Sequence, residues 1–225
     1  MKIEIKEKIV IFGLGDFARI VCAYLSRSEK YQVVAFSVHN EFISESSLMG
    51  FPIVPFEEIN NLHPPTEYKM FVAIGFKNLN KARQNIYEQC KSKGYELISY
   101  ISPDAIVFDH NCVGDNCFIF ENNVVQPFVK IGNDSILWSG NHIGHDAIVG
   151  DHVFISSHVV ISGHVKIGDR SFIGVNSTIK DGVTIGNDCL IGAGSLILKD
   201  AADNSVFKGL SAELSPVPSS RLRGI

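Results

Sequence analysis

The sequence has no long apolar run and no concentration of charge of one sign. Its 225 residues include 20 basic and 24 acidic side chains, for a formal net charge of −4. No stripe of Lys and Arg suggests a nucleic-acid or anionic-membrane surface, and no apolar stretch approaches the ~18–20 residues of a membrane span. The first residues alternate charged and aliphatic side chains, without the apolar core of a signal peptide. We therefore expect a soluble, cytoplasmic protein.

Cysteine pairing motifs are also missing. The chain has five cysteines, an odd number, and they show neither a CxxC pair nor zinc-finger spacing. This pattern favours free thiols in a reducing compartment. The five are Cys22, Cys90, Cys112, Cys117 and Cys189.

What the sequence has in abundance is a six-residue repeat. Every sixth position from Ile101 to Ile197 holds Ile, Val or Leu, the next residue is often Gly, and Asn, Asp or Gly crowd the two positions that follow. A strict hexapeptide period predicts a parallel β-helix whose aliphatic residues point inward. An α-helix would need a period near 3.6. Residues 101–200 are therefore predicted to form a β-helix domain, followed by a tail over residues 201–225.

The first hundred residues have a different pattern, which predicts a small Rossmann-like α/β domain. A strand over residues 8–12 runs into a G-x-G-x-x-A turn, a helix over 19–28 and a strand over 31–38. After a polar connection (40–55) and a short helix (56–61) come a strand (69–74), a helix (78–93) and a last strand (95–100).

Ligands of such sheets bind at the carboxyl ends of the strands. That rule selects two groups of residues: Gly13, Leu14, Gly15 and Asp16, then Gly75, Phe76 and Asn78. Backbone N–H groups and the helix dipole at such a turn favour a phosphate, although a tight packing turn is an open alternative. A dinucleotide is disfavoured, because the strand over 31–38 leads to His39 without the acid that binds a ribose. The domain shows no acid–base cluster, so we interpret it as a binding module.

One histidine of the repeats differs from the others. His110, His152, His158 and His164 occupy the fourth position of their hexads, where we expect outward turn residues. His145 is at the third position and is followed at once by Asp146. Histidine can accept a proton near neutral pH, and a neighbouring carboxylate can fix its tautomer. The pair is a candidate catalytic site, with a solvated turn histidine as the alternative.

The unbroken hexads, the preceding α/β domain and the Gly144-His145-Asp146 segment, which continues to Gly150, resemble one family. It is the bacterial nucleotide-sugar acetyltransferases of the left-handed β-helix type, which includes 4-amino-sugar N-acetyltransferases and the sialic acid O-acetyltransferase branch. The resemblance implies a left-handed β-helix and a homotrimer. It also implies acetyl-CoA in the groove between adjacent β-helices, a nucleotide sugar on the N-terminal domain, and no metal.

The resemblance also implies roles for individual residues. His145 matches the general base, Asp146 its supporting acid, and Gly163 the glycine whose N–H meets the thioester carbonyl. The residues implied for acetyl-CoA are Gly163, Val175, Ala193, Lys208 and Gly209; those for the nucleotide sugar are Gly13, Leu14, Gly15, Asp16, Gly75, Phe76 and Asn78.

The chain departs from the family at three places. It has Gly15-Asp16-Phe17 where the family's glycine-rich turn usually contains Ser-Gly-His or a similar sequence. Phe154 replaces a histidine often found nine residues after the base, and Val38 and His39 replace acids at the end of the second strand. We hypothesise that His142 or His158, with Trp138 nearby, supplies a polar group in the groove.

The implied activity is acetyl-CoA-dependent N-acetylation of a UDP- or dTDP-linked amino-dideoxy sugar in surface-glycan synthesis. Three alternatives stay open. They are O-acetylation of a sugar hydroxyl, a non-catalytic trimeric scaffold, and a trimeric zinc protein of the γ-carbonic-anhydrase type. The candidate zinc ligands are His142, His145, His158 and His164.

Overall fold

The structure, a computed structural model, describes residues 6–209 and 211–221. Its N-terminal part is a five-stranded sheet of order β3-β4-β2-β1-β5, parallel except for the β3–β4 pair. The elements are β1 (Glu7–Phe12), α1 (Asp16–Arg27), β2 (Tyr31–Val38), β3 (Ser47–Leu48), β4 (Phe51–Pro55), α2 (Ile59–Leu62), β5 (Lys69–Val72) and α3 (Lys81–Ser92). Within the described residues, no helix has the length and apolar character needed to span a membrane.

Two parts of this sheet differ from the sequence prediction. Residues 40–55 are not only a connection, because they contain β3 and β4, and β4 pairs with β2. The predicted last strand, over residues 95–100, is wrong: only Leu97 bridges to Met70. Tyr100 instead donates its backbone N–H to Cys117 O at 2.8 Å and so begins the repeat domain.

The repeats form a parallel β-helix with three faces of two-residue strands. Its strands pair with those eighteen residues further along the chain, so one coil is three hexads, as the Asn141–Val159 contact also shows. The seven-stranded face is Tyr100–Ile101, Phe118–Ile119, Ile136–Leu137, Phe154–Ile155, Phe172–Ile173, Leu190–Ile191 and Val206–Phe207. The six-stranded face is Ile106–Val107, Val124–Val125, His142–Ile143, Val160–Ile161, Thr178–Ile179 and Leu196–Ile197. The four-stranded face is Lys130–Ile131, Ile148–Val149, Lys166–Ile167 and Thr184–Ile185.

Two hexad positions carry special backbone demands. The fourth position has a left-handed backbone in almost every hexad, and Asn, Asp and His occupy most of these sites, since such residues tolerate that conformation better than most. The glycines of the second position meet a different demand. A Cβ on Gly144 would lie 2.6 Å from the backbone N of Gly163 in the next coil. Glycine is needed there for close packing of the coils.

The corner between the four- and seven-stranded faces is held by a ladder of side chains. Asn133 Oδ1 accepts from the Asp115 N–H at 3.0 Å, Asp151 Oδ1 from the Asn133 N–H, and Asp169 Oδ1 from the Asp151 N–H at 2.9 Å. The same contact recurs through Asn187 and Asp203. Each contact satisfies a backbone N–H of the neighbouring coil, so this column of the repeat is structural.

The N-terminal domain packs on the seven-stranded face through an apolar cluster. Phe118, Phe120 and Phe154 of the β-helix are buried in the same cluster as Val21 and Leu25 of α1. Each such side chain contributes about 1.5–3 kcal/mol when fully buried. This interface fixes the position of the N-terminal sheet relative to the repeats.

A buried polar network adds to this interface. Arg83 of α3 is fully buried, with its Nε 3.1 Å from Asp134 Oδ1 and its guanidinium donating to the carbonyl oxygens of Asp134, His152 and Gly75. Burial lowers the pKa of Arg83, while Asp134 opposes that shift. His152 Nδ1 lies 2.7 Å from Asp134 Oδ2, and only 7% of His152 is exposed. The expectation of an outward turn residue was therefore wrong for His152.

Candidate active site

His145 and Asp146 form a hydrogen-bonded pair at the corner between the six- and four-stranded faces. His145 Nδ1 lies 3.0 Å from Asp146 Oδ2. Asp146 has a left-handed backbone (φ 57°), and the His145 N–H donates to Gln126 Oε1 at 2.9 Å. Both acidic and basic side chains remain partly exposed, at 43% and 52%. Because Nδ1 faces the carboxylate, Nε2 is the nitrogen available to accept a proton.

Gly163 lies directly beneath this imidazole in the next coil. A Cβ at residue 163 would be 2.7 Å from both Cε1 and Nε2 of His145. Any side chain at this position would therefore push the ring away. Within the described part of the chain, the Gly163 N–H has no hydrogen-bond acceptor, so it is a donor without a partner next to the candidate base.

His164 is a neighbour of His145 that the sequence analysis missed. The two rings are perpendicular, with centroids 4.9 Å apart, and the ligand atoms of His145, Asp146 and His164 lie within 4.8 Å of one another. The expectation that His164 is only a turn residue overlooked this contact. The eighteen-residue coil places residue 163 under residue 145. This spacing also predicts that the next residue, His164, lies near His145.

The three residues considered as possible supports lie in other surroundings. His142 is on the six-stranded face. His158 lies against Gly140, where a Cβ would be 2.6 Å from its Nδ1. Trp138 stacks on Phe120 (4.6 Å, 11°) and approaches Phe17 of α1. The structure thus brings His164, and not His158 or Trp138, to the His145 ring.

The residues expected to bind acetyl-CoA divide between two corners. Gly163 shares the corner of His145. Val175 and Ala193 lie instead at the corner between the seven- and six-stranded faces, where Val175 O accepts from the Gly194 N–H at 2.8 Å. Gly209 packs directly against Ala193, and the neighbouring Lys208 is exposed. Both corners border the six-stranded face.

In the glycine turn after β1, a side chain would clash at Gly13 but not at Gly15. Gly13 has φ 123°, and a Cβ there would lie 2.8 Å from Ala73 O, so packing alone requires glycine. At Gly15, which precedes α1, no atom lies within 4 Å of an added Cβ. Leu14 is half-buried and Asp16 is exposed. Gly15 and the first turn of α1 thus leave room for an anion.

The second expected loop, from Gly75 to Asn78, runs into an unusual turn. Asn78, Leu79 and Asn80 are left-handed in succession, a conformation that costs non-glycine residues roughly 1–2 kcal/mol each. Buried Asn80 holds the turn, since its Nδ2 donates to Arg170 O at 3.0 Å and its Oδ1 accepts from Arg83. Phe76 packs on Phe172 of the β-helix, with ring centroids 4.8 Å apart.

A further pair lies at the ends of β2 and β4. His39 Nδ1 is 2.9 Å from Glu57 Oε1, and the Asn40 N–H donates to Glu57 Oε2 at 3.1 Å. The pKa of Glu57 is lowered, first by its own backbone N–H and then by His39. The sequence analysis missed this carboxylate because it assigned no strand to residues 51–55.

Three family models match separate parts of the chain. The N-terminal domain of PglD matches residues 8–90. Two hexapeptide-repeat models, described as bacterial transferase hexapeptide and as hexapeptide repeat of succinyl-transferase, match residues 129–163 and 164–199.

Three named proteins are similar to the chain. A GDP-perosamine N-acetyltransferase from Escherichia coli O157:H7 is 25% identical over 152 residues, which span 64% of each chain. The acetyltransferase domain of PglB from Neisseria gonorrhoeae FA1090 is 25% identical over 91% of this chain and 97% of that one, with a TM-score of 0.79. A variant of perosamine N-acetyltransferase from Caulobacter crescentus, solved with CoA and GDP-perosamine, is 26% identical over 93% and 97%, with a TM-score of 0.81.

These matches confirm the predicted fold, a Rossmann-like α/β domain followed by a left-handed parallel β-helix. Hexapeptide models and the PglD model together account for both parts. The chain is thus similar to the hexapeptide-repeat nucleotide-sugar acetyltransferases that carry an N-terminal PglD-type domain.

Proposed function

We propose that this enzyme transfers the acetyl group of acetyl-CoA to the amino group of a nucleotide-linked amino-dideoxy sugar. The observation that carries the proposal is the His145–Asp146 pair with Gly163 beneath it. Two of the named relatives are perosamine N-acetyltransferases, and one of these was solved with CoA and GDP-perosamine, which supports an amine acceptor and a CoA thioester donor.

In the proposed reaction the sugar amine attacks the thioester carbonyl and passes its proton to His145 Nε2. Asp146 holds Nδ1 and stabilises the imidazolium that forms. Negative charge develops on the carbonyl oxygen, where a donor such as the Gly163 N–H stabilises it. The C–S bond then breaks, the departing thiolate takes the proton from His145 Nε2, and CoA thiol and the acetylated amine are released. Holding both substrates in line supplies much of the remaining rate enhancement.

The coenzyme groove in this proposal needs two copies of the chain. The His145 corner and the corner of Val175, Ala193 and Gly209 flank the six-stranded face on opposite sides. That face carries exposed Ile106 (69%), Val160 (40%) and Leu196 (63%) in one column. In a cyclic homotrimer packed through this face, the His145 corner of one copy meets the Val175 corner of the next.

The nucleotide that the sugar carries is a separate question from the reaction. The sequence led us to expect UDP or dTDP, whereas two of the named relatives carry GDP-perosamine in their names or in their solved complexes. The proposal therefore covers a nucleotide-linked sugar and includes GDP among the candidates.

The direct test measures CoA thiol release with GDP-perosamine and with UDP- and dTDP-linked 4-amino-6-deoxy sugars. Turnover is expected with at least one of them and should fall at least about a hundredfold in His145→Ala, since a positioned base contributes 10²–10⁴-fold. Thr184→Ala is the control, because Thr184 is exposed on the four-stranded face, away from both corners of the proposed groove. Acetyl-CoA binding without turnover on any amine would redirect the assignment to hydroxyl acceptors.

The zinc alternative rests on the grouping of His145, Asp146 and His164, whose side chains are of the types that bind zinc. Metal analysis of the purified enzyme and assay after chelation separate it from the acetyltransferase. Stoichiometric zinc with chelator-sensitive activity would favour the metal protein. A protein that binds no acetyl-CoA would favour the scaffold.

A further inference from the structure

A carboxylate stands at the carboxyl edge of the N-terminal sheet although β2 ends without one. The sheet order places β4 beside β2, with Val38 opposite Pro55. The 3₁₀-helix Phe56–Glu58 follows β4 directly. It brings Glu57 within 2.9 Å of His39 Nδ1, the residue after β2.

This pair lies next to the glycine turn. The ring of Phe12, the last residue of β1, meets His39 edge-on with centroids 5.8 Å apart. The next residue, Gly13, donates its N–H to Ser37 O of β2 at 2.9 Å. The glycine turn, His39 and Glu57 thus share the edge formed by β1, β2 and β4, where parallel sheets bind their ligands.

We propose that Glu57 is the ribose-binding carboxylate of the nucleotide-sugar site, and that it makes the site prefer ribonucleotide-linked over 2′-deoxyribonucleotide-linked sugars. The inference rests on the proposed function and deepens it, because it separates UDP- and GDP-linked acceptor sugars from dTDP-linked ones. In dinucleotide-binding sheets of the Rossmann type, an acid at this edge accepts a hydrogen bond from the ribose 2′-hydroxyl, and Glu57 occupies a comparable edge here. A deoxyribose has no such donor.

The local contacts hold the carboxylate ready for that bond. The Asn40 N–H donates to Oε2, and His39 Nδ1 faces Oε1. Each oxygen retains a further lone pair, and 52% of the side chain is exposed. The pKa of Glu57 is lowered, first by its own backbone N–H and then by these donors, so the group is ionised at neutral pH. Its orientation is fixed before a nucleotide arrives, which reduces the ordering cost of binding.

Equilibrium binding to matched pairs of nucleotides tests the inference on the full chain. Calorimetry measures the affinities of UDP and dUDP, and of GDP and dGDP. A hydrogen bond to a charged group corresponds to a difference of roughly tenfold to a hundredfold in affinity, and we expect the ribonucleotide to bind more tightly by that factor. In Glu57→Ala the ratio should fall to about one, through weaker ribonucleotide binding.

Glu58→Ala is the matched control, because Glu58 is the exposed neighbouring carboxylate, and it should keep the wild-type ratio. Equal binding of both members of each pair would overturn the inference and leave the acetyltransferase assignment intact. A preference that survives in Glu57→Ala would remove Glu57 from the role. If no nucleotide binds, the nucleotide-sugar assignment fails together with the inference.

Discussion

At the residue scale, the contacts around His145 explain why a glycine faces it. The imidazole is held from one side by Asp146 and rests with its Cε1–Nε2 edge on Gly163. Gly163 therefore helps to set the orientation of the His145 ring. His164, perpendicular to the same ring, borders the same space.

Replacing Gly163 by alanine should damage catalysis more than folding. The added Cβ would lie 2.7 Å from the His145 ring, and because that ring is half-exposed it can swing away. A displacement of about 1 Å can cost a hundredfold in rate, so kcat should fall by tenfold to a hundredfold. Steady-state kinetics and thermal melting measure the two effects. Ser162→Ala is the control; an unchanged kcat in Gly163→Ala would show that the ring is not held there.

The cysteines give an independent check of residue burial. Cys22, Cys90, Cys117 and Cys189 are buried, and Cys112 is half-buried, without a disulfide among them. Burial raises the pKa of Cys90 and Cys117 to about 12, so these thiols stay protonated and unreactive at neutral pH.

We expect the native protein to react with one equivalent of a thiol-specific disulfide reagent, at Cys112. The denatured protein should react with five equivalents. The signal of the native protein should vanish in Cys112→Ser. Rapid reaction of two or more native thiols would contradict the packing of the cores.

At the element scale, Arg83 connects α3 to the β-helix. It binds the carbonyl oxygens of two coils and the side chain of Asp134, and it also holds Gly75 O before the left-handed turn. The strained residues 78–80 are thus fixed by buried hydrogen bonds from both domains.

Arg83→Met should lower the free energy of unfolding by about 3–5 kcal/mol, because it leaves the Asp134 carboxylate buried without its main partner. Urea denaturation measures the loss. Arg19→Met, whose exposed ion pair with Asp16 is 3.7 Å long, should change stability by less than about 1 kcal/mol. Adding Asp134→Asn to Arg83→Met should recover part of the loss. If it recovers none, the buried charge is not the cause.

The predictable elements were those whose signals are local. An aliphatic residue every six positions specifies the strands of the β-helix, and the glycine turn after residues 8–12 specifies the first βαβ unit. Tertiary docking set the elements that the sequence did not specify. His152 and Arg83 are buried because α3 packs on the repeats, and Glu57 reaches His39 because β4 pairs with β2. No local pattern encodes either contact.

At the scale of the whole molecule, the exposed apolar column of the six-stranded face indicates assembly. In Leu196→Glu we expect the proposed trimer to dissociate, since a charge would be buried without a partner. Light scattering after size-exclusion chromatography measures the mass. Thr184→Glu, on the four-stranded face, should leave it unchanged. A wild-type monomer, or a Leu196→Glu trimer with full activity, would contradict a groove built between copies.

In the proposed reaction, an acetyl group moves from CoA to a sugar nitrogen, with His145 as the general base. The most direct measurement follows ¹³C-acetyl from labelled acetyl-CoA into the nucleotide amino sugar by NMR and mass spectrometry, comparing wild type with His145→Ala. We expect wild type to form an amide at the amino nitrogen of the sugar, and the variant to form almost none. An ester on a hydroxyl, or equal amide formation by both proteins, would contradict it.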